Sequence, residues 1–139
     1  MTLLLLVDDE ALILHLVNDA LEDGGFSTFQ AMTGAEAIEA LNDPQHEFAG
    51  LITDVNIGDG VTGWDVARVA RHRSAEMPVV YMTGDSAHDW SAEGVPNSLL
   101  VQKPFAVAQI TTAISQLITE AATRHASTGG PDPFSPAAN

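Results

Sequence analysis

Leu3-Leu4-Leu5-Leu6-Val7-Asp8-Asp9-Glu10 decides how the rest of the 139-residue chain is read. Five apolar residues in a row are far too few to cross a bilayer, and no basic flank or cleavage site of a secretory leader accompanies them. They read as a strand buried on both faces, ending abruptly in three acids. Working outward, the same kind of unit recurs. From Glu10 to about Asp23, Leu12, Ile13, Leu16, Val17, Ala20 and Leu21 repeat at helical spacing, and Gly24-Gly25 ends that helix. Phe26 to Ala31 is a second strand. Thr33 then caps a helix through about Asn42, with Glu36 at the capping-box position. Leu51-Ile52-Thr53 is a third strand that stops at Asp54, and a glycine-rich loop from Gly58 to Gly63 leads into a helix from Trp64 to about His72. Val79 to Met82 and Leu99 to Val101 are the fourth and fifth strands. The last helix starts after Pro104, with Val107, Ile110, Ile114, Leu117, Ile118 and Ala121 on one face.

Strand–helix alternation repeated five times predicts an α/β fold: a doubly wound, five-stranded parallel sheet with helices on both faces. Crossovers in such a sheet are right-handed. Asp85 to Asn97, broken by Gly94 and Pro96, leaves room for one or two helical turns, so the fourth helix is expected to be short or irregular. One domain over residues 1–125 accounts for the periodic segments. Residues 126–139, rich in Ser, Gly and Pro, read as a disordered C-terminal tail.

Five Lys and Arg stand against 19 Asp and Glu, for a formal charge of −14. Such a surface repels nucleic acid and anionic lipid, so neither is expected as a partner. With no cysteine, disulfides, thiolate metal sites and cysteine nucleophiles are excluded, and a cytoplasmic location is expected. Lys103 is the chain's only lysine, and it stands in an apolar stretch just before a proline.

In a doubly wound sheet the active site lies at the carboxyl ends of the strands. Reading off those ends gives Asp8-Asp9-Glu10 on strand 1, Asp54 on strand 3, Thr83 on strand 4 and Lys103 on strand 5. Carboxylates converging from two strands repel unless a cation joins them, and hard oxygen donors suit Mg²⁺. A threonine hydroxyl and an ammonium on the opposite wall match the needs of phosphoryl transfer, which asks mainly for positioning and charge neutralisation. Asp54, central between the two walls, is the best-placed nucleophile.

Asp8-Asp9, Asp54, Thr83-Gly84 and Lys103-Pro104-Phe105 together resemble the active-site set of response-regulator receiver domains, in matching order from roughly Leu3 to Ala122. The resemblance implies the flavodoxin-like strand order 2-1-3-4-5 and a receiver domain over residues 1–125. It further implies that Asp54 accepts a phosphoryl group from a sensor histidine kinase or histidine phosphotransfer protein. Asp9 and Asp54 would ligate Mg²⁺ directly, Asp8 through water, and the Asn56 backbone carbonyl would complete the protein ligands. Thr83 and Lys103 would bind phosphoryl oxygens, and the Lys103–Pro104 bond would be cis. No output domain follows within the 139 residues. The expectation is therefore a stand-alone regulator, or a piece of a hybrid kinase, that signals through an unknown downstream protein; a weak homodimer is compatible with it. No turnover of a separate substrate is expected.

Two departures stand out against that family. The loop after Asp54 lacks the usual Met-Pro and runs one residue longer. Position 100, normally Tyr or Phe, is Leu100, so an aromatic flip there cannot report phosphorylation. The segment Asp85 to Asn97 is expected instead to be mobile and to order on phosphorylation or partner binding.

Two other functions compete with this reading. A haloacid-dehalogenase-like Mg²⁺ phosphatase would share the chemistry, yet it needs an Asp-x-Asp nucleophile on strand 1 and a cap domain; the chain offers Asp8-Asp9-Glu10 and no room for a cap. A phosphorylation-independent binding module with the same fold would dispense with the metal. Blander readings exist for single residues: Asp8 or Asp9 as a helix cap, Thr83 as an ordinary strand residue, Lys103 as a snorkelling lysine. One cap does not need three acids.

Overall fold

Strands and helices alternate along the whole described length of the computed structural model, which covers residues 2–58 and 60–128. The order is β1 (Thr2–Val7), α1 (Ala11–Asp23), β2 (Phe26–Ala31), α2 (Gly34–Asn42), β3 (Gly50–Asp54), α3 (Gly63–Arg73), β4 (Val79–Thr83), α4 (Trp90–Glu93), β5 (Leu99–Gln102) and α5 (Val107–Thr128). All neighbouring strands pair in parallel, in the order β2-β1-β3-β4-β5. That is the expected topology. Each strand's alternate side chains feed two cores. Leu5, Val7, Leu51, Val79 and Tyr81 pack under α2 and α3, while Leu4, Leu6, Ile52, Val80 and Met82 pack under α1 and α5. Burial on both faces is why these strands read as unbroken apolar runs.

Helix starts are fixed by local chemistry. Thr33 accepts the Glu36 N–H at 3.1 Å, but the Glu36 carboxylate takes the Thr33 hydroxyl at 3.3 Å instead of closing a full capping box. The full box forms at α3, where Thr62 and Asp65 satisfy each other's backbone N–H.

Periodicity in α1 misassigned one stripe. Leu14, Val17 and Leu21 are buried, whereas Leu12 and Leu16 are 67% and 44% exposed. A helix with apolar residues more than halfway round offers two candidate faces, and packing against α5 and the sheet selects the Leu14 stripe. The fourth helix is short, as expected: a 3-10 turn at Ala87–Asp89 and a single α-turn, neither burying a residue. The last helix runs to Thr128, three residues past the expected end of the domain. The rest of the expected tail, 129–139, lies outside the described residues. Among the described residues no helix is long and apolar enough to cross a membrane.

Candidate functional site

Strand register brings the site together. Val7 pairs with Thr53, Asp54 with Met82 and Thr83 with Gln102. One step beyond, Asp8 lies beside Asp54, and Lys103 follows Gln102, the partner of Thr83. The ladder continues past the strand ends, since Asp8 N–H donates to Ala31 O, Val55 N–H to Met82 O and Lys103 N–H to Thr83 O. The side chains that follow the strands are therefore held by main-chain bonds and not by loop packing.

Asp8 is fully buried and Asp54 nearly so, while Asp9 and Glu10 are exposed at the mouth. One carboxylate oxygen from each of Asp8, Asp9, Glu10 and Asp54 lies within 4.8 Å of the other three. Among the described residues this is the one group of metal-ligating side chains brought together. The donor set is entirely hard oxygen, which fits Mg²⁺ and not a thiolate- or imidazole-preferring metal.

Lys103 reaches into the same cluster. Its ammonium donates to Asp8 Oδ2 at 3.3 Å and to Asp54 Oδ2 and Glu10 Oε1 at 3.4 Å each. Its peptide bond to Pro104 is cis. Burial alone would depress the lysine, but the charges of Asp54 and Asp8 outweigh it and hold the ammonium above its usual range. Burial pushes Asp54 up to about 6, the charge of Asp8 adds to the effect, and Lys103 offsets only part of it. Asp8 is also raised, by burial first, against the pull of the Glu10 N–H on its Oδ1 at 2.8 Å and of Lys103. The pocket thus carries more negative charge than its single cation neutralises.

Thr83 is fully buried, and its Oγ1 accepts the Ser86 N–H at 2.9 Å. Asn56, exposed two residues past Asp54, donates its side-chain amide to Ser86 Oγ at 3.2 Å. Ser86 thereby ties the β3–α3 loop to the β4–α4 loop across the site. Sequence reasoning missed two participants. Glu10 belongs to the acidic run but was given no role, and Ser86 was passed over because its bond from Asn56 joins positions thirty residues apart, which only the fold makes neighbours.

Comparison with known proteins agrees with this geometry. The response regulator receiver domain family matches residues 4–115. The crystal structure of a response regulator receiver protein from Sinorhizobium medicae superposes with a TM-score of 0.84 at 41% identity, over 86% of this chain and 96% of that one. A receiver domain protein from Clostridium thermocellum shares the fold at 22% identity, with a TM-score of 0.77 over 89% of this chain and 99% of that one. The phyllosphere-induced regulator PhyR of Methylorubrum extorquens is 28% identical over 119 residues. Those residues are 84% of this chain but 43% of PhyR, so the chain spans less than half the length of that relative. With the register-built acidic cluster, the buried threonine and the inward lysine, the chain belongs to the response regulator receiver domain family.

Proposed function

We propose that the chain is a cytoplasmic two-component receiver. It takes a phosphoryl group on Asp54 from the phosphohistidine of a sensor histidine kinase or histidine phosphotransfer protein, in a Mg²⁺-dependent reaction, and passes its state on through protein contacts. The observation that carries the reading is the buried Asp54 carboxylate, clustered with Asp8, Asp9 and Glu10 and bonded by the Lys103 ammonium. An Asp54 oxygen attacks phosphorus, the bond from phosphorus to the donor nitrogen breaks, and the donor leaves as free imidazole. Asp9, Asp54, the Asn56 carbonyl and, through water, Asp8 would hold the Mg²⁺. When bound, that ion supplies positive charge to the phosphoryl oxygens and relieves the repulsion among the acids. Lys103 then has phosphoryl oxygens to serve in place of the carboxylates it now touches. Thr83 can donate its hydroxyl proton to the phosphoryl group while still accepting the Ser86 N–H.

Intact mass after incubation with acetyl phosphate tests this. A single phosphoryl adduct is expected on the wild-type chain with Mg²⁺, and none without Mg²⁺ or on Asp54→Asn. An adduct surviving on Asp54→Asn would move the nucleophile elsewhere. Steady hydrolysis of phosphomonoesters would favour a phosphatase instead.

The exposed large apolar residues support a docking surface for a protein donor beside the site. Leu12 and Leu16 stand one turn apart on α1 just after the acidic run, and Met32 follows β2 at the same edge of the sheet, 41% exposed. Apolar side chains at such a rim serve protein docking better than small-donor binding. Leu12→Asp is expected to slow transfer from a phosphohistidine-bearing partner about tenfold, a loss in the range of an interface anchor. Labelling by acetyl phosphate should be unchanged. Equal slowing with both donors would place the defect in the site and not in docking.

A further inference from the structure

Segment 90–98 is fastened to the sheet by polar bonds, and one of them leads back towards the site. Within it, Trp90 Nε1–H donates to Ser98 Oγ at 3.0 Å and Ser98 Oγ–H donates to the Val95 carbonyl at 2.6 Å. A Cβ at Gly94 would run into the Trp90 indole, so the ring lies directly over that backbone. From outside, α3 supplies two arginines. Arg68 donates to the Glu93 carbonyl and carboxylate, both at 3.2 Å, and Arg71 binds the Met77 carbonyl at 2.7 Å and the Asn97 carbonyl at 3.4 Å. No residue of the α-turn at its start is fully buried, and the segment's apolar hold on the core comes from Trp90 and Val95, both only partly buried, so the polar bonds carry a large share of its attachment.

The sheet's own link is Tyr81. It is fully buried on β4 with its ring 4.6 Å from Trp64, and its hydroxyl oxygen accepts the Val95 N–H at 3.1 Å. Leu100, its register partner on β5, has no polar atom with which to make such a bond. Tyr81 also stands two residues before Thr83 on the same face of the same strand. Any adjustment of Thr83 towards a group on Asp54 is carried along a close-packed strand that cannot absorb it by yielding, and the next side chain on that face ends on Val95.

Resting on the receiver reading above, we propose that Tyr81 is the positioning residue through which the state of Asp54 reaches segment 90–98, by way of its hydroxyl bond to the Val95 N–H. The two arginines hold the segment in place while that bond sets its register to β4. A two-state element biased by the site is what such coupling requires.

Amide hydrogen exchange on the full chain tests the proposal, comparing the free protein with the protein carrying Mg²⁺ and beryllofluoride, a phosphoryl mimic. In the wild type, protection of residues 94–98 is expected to differ between the two states. Tyr81→Phe, which removes one oxygen and keeps the ring on Trp64, should lower protection at Val95 about fivefold in the free state, as loss of one net hydrogen bond does. It should also abolish the difference between states, while beryllofluoride binding stays within about twofold of wild type, since the site itself is untouched. A merely structural role would lower protection equally in both states and leave the difference intact, which would overturn the proposal. A wild-type chain with no difference would overturn it too. Val95→Pro deletes the donor from the other end and should reproduce the loss of coupling; retained coupling there counts against the bond. If the wild type fails to bind beryllofluoride with Mg²⁺ at all, the receiver reading itself falls, an outcome distinguished by the missing Mg²⁺ dependence.

Discussion

Gly63→Ala is expected to destabilise the domain by about 3 kcal/mol and to weaken divalent-cation binding at the site, an effect of the size seen when a packed interior is forced to accept an extra methyl. Gly63 opens α3, and its N–H donates to the Val55 carbonyl at 2.8 Å. A Cβ there would collide with the carbonyl of Asp54 and approach Val55 Cα to 2.9 Å. The obstructing atoms are all backbone, so no rotamer change relieves the overlap. What must move is the end of β3, the piece that carries Asp54. Gly34→Ala is the natural comparison, because its Cβ would meet Val61 Cγ1 at 2.5 Å and Val61 Cβ at 2.6 Å, so what must give there is the loop before α3 and not the end of β3. Urea denaturation of both variants should rank Gly63→Ala as clearly the more damaging, and Mg²⁺ titration should show weakened binding for it alone. Equal costs would mean that the close approach of α3 to β3 does not constrain the site.

Much of this arrangement was legible in the sequence, for a definite reason. Parallel strands buried on both faces leave apolar runs, and four of the five runs here stop at or just before a polar residue of the candidate site: Asp8, Asp54, Thr83 and, after Gln102, Lys103. Local chemistry was half legible. Thr33 was recognisable as a cap, but whether Glu36 closes the box depends on a rotamer, and the box at Thr62 and Asp65 uses Asp where Glu or Gln is the usual signal. The α1 faces were ambiguous because a helix apolar over more than half its circumference does not say which stripe meets the core. What could not be read were polar contacts between distant positions. Arg68 on Glu93, Arg71 on Asn97, Tyr81 on Val95 and Asn56 on Ser86 join residues that only the fold makes neighbours. The expectation that residues 85–97 are loosely held followed from their weak apolar pattern, and that pattern is silent about hydrogen bonds to arginines one helix away.

Asp54→Asn is expected to stabilise the metal-free domain at neutral pH while removing the residue proposed to carry the phosphoryl group. Burial and the neighbouring charge of Asp8 raise Asp54 from the ordinary 3.8 to about 6 in the folded protein. The folded state therefore holds a proton that the unfolded chain has already released between those values. Stability from this group is fully present below about pH 4 and is lost as the pH rises through 6. Above that the ionised carboxylate costs roughly 2–3 kcal/mol, the free-energy equivalent of the displacement. An asparagine cannot ionise and keeps nearly the same shape, so the variant should unfold several degrees higher at pH 7.5, taking the shift in midpoint for a domain of this size as about 3–5 °C per kcal/mol. The two proteins should converge as the pH falls well below 3.8, where Asp54 is neutral in both states. Thermal unfolding in chelator across that range checks the sign: a variant that is less stable at pH 7.5 would mean that the bond from Lys103 to Asp54 outweighs the burial of charge. Adding Mg²⁺ should then raise the wild type more than Asp54→Asn, because a cation that binds only the folded state returns by mass action what the uncompensated carboxylate costs. On the function proposed above, a carboxylate held in an unfavourable setting until a cation or a phosphoryl group arrives would be the form in which this domain stores its capacity to respond.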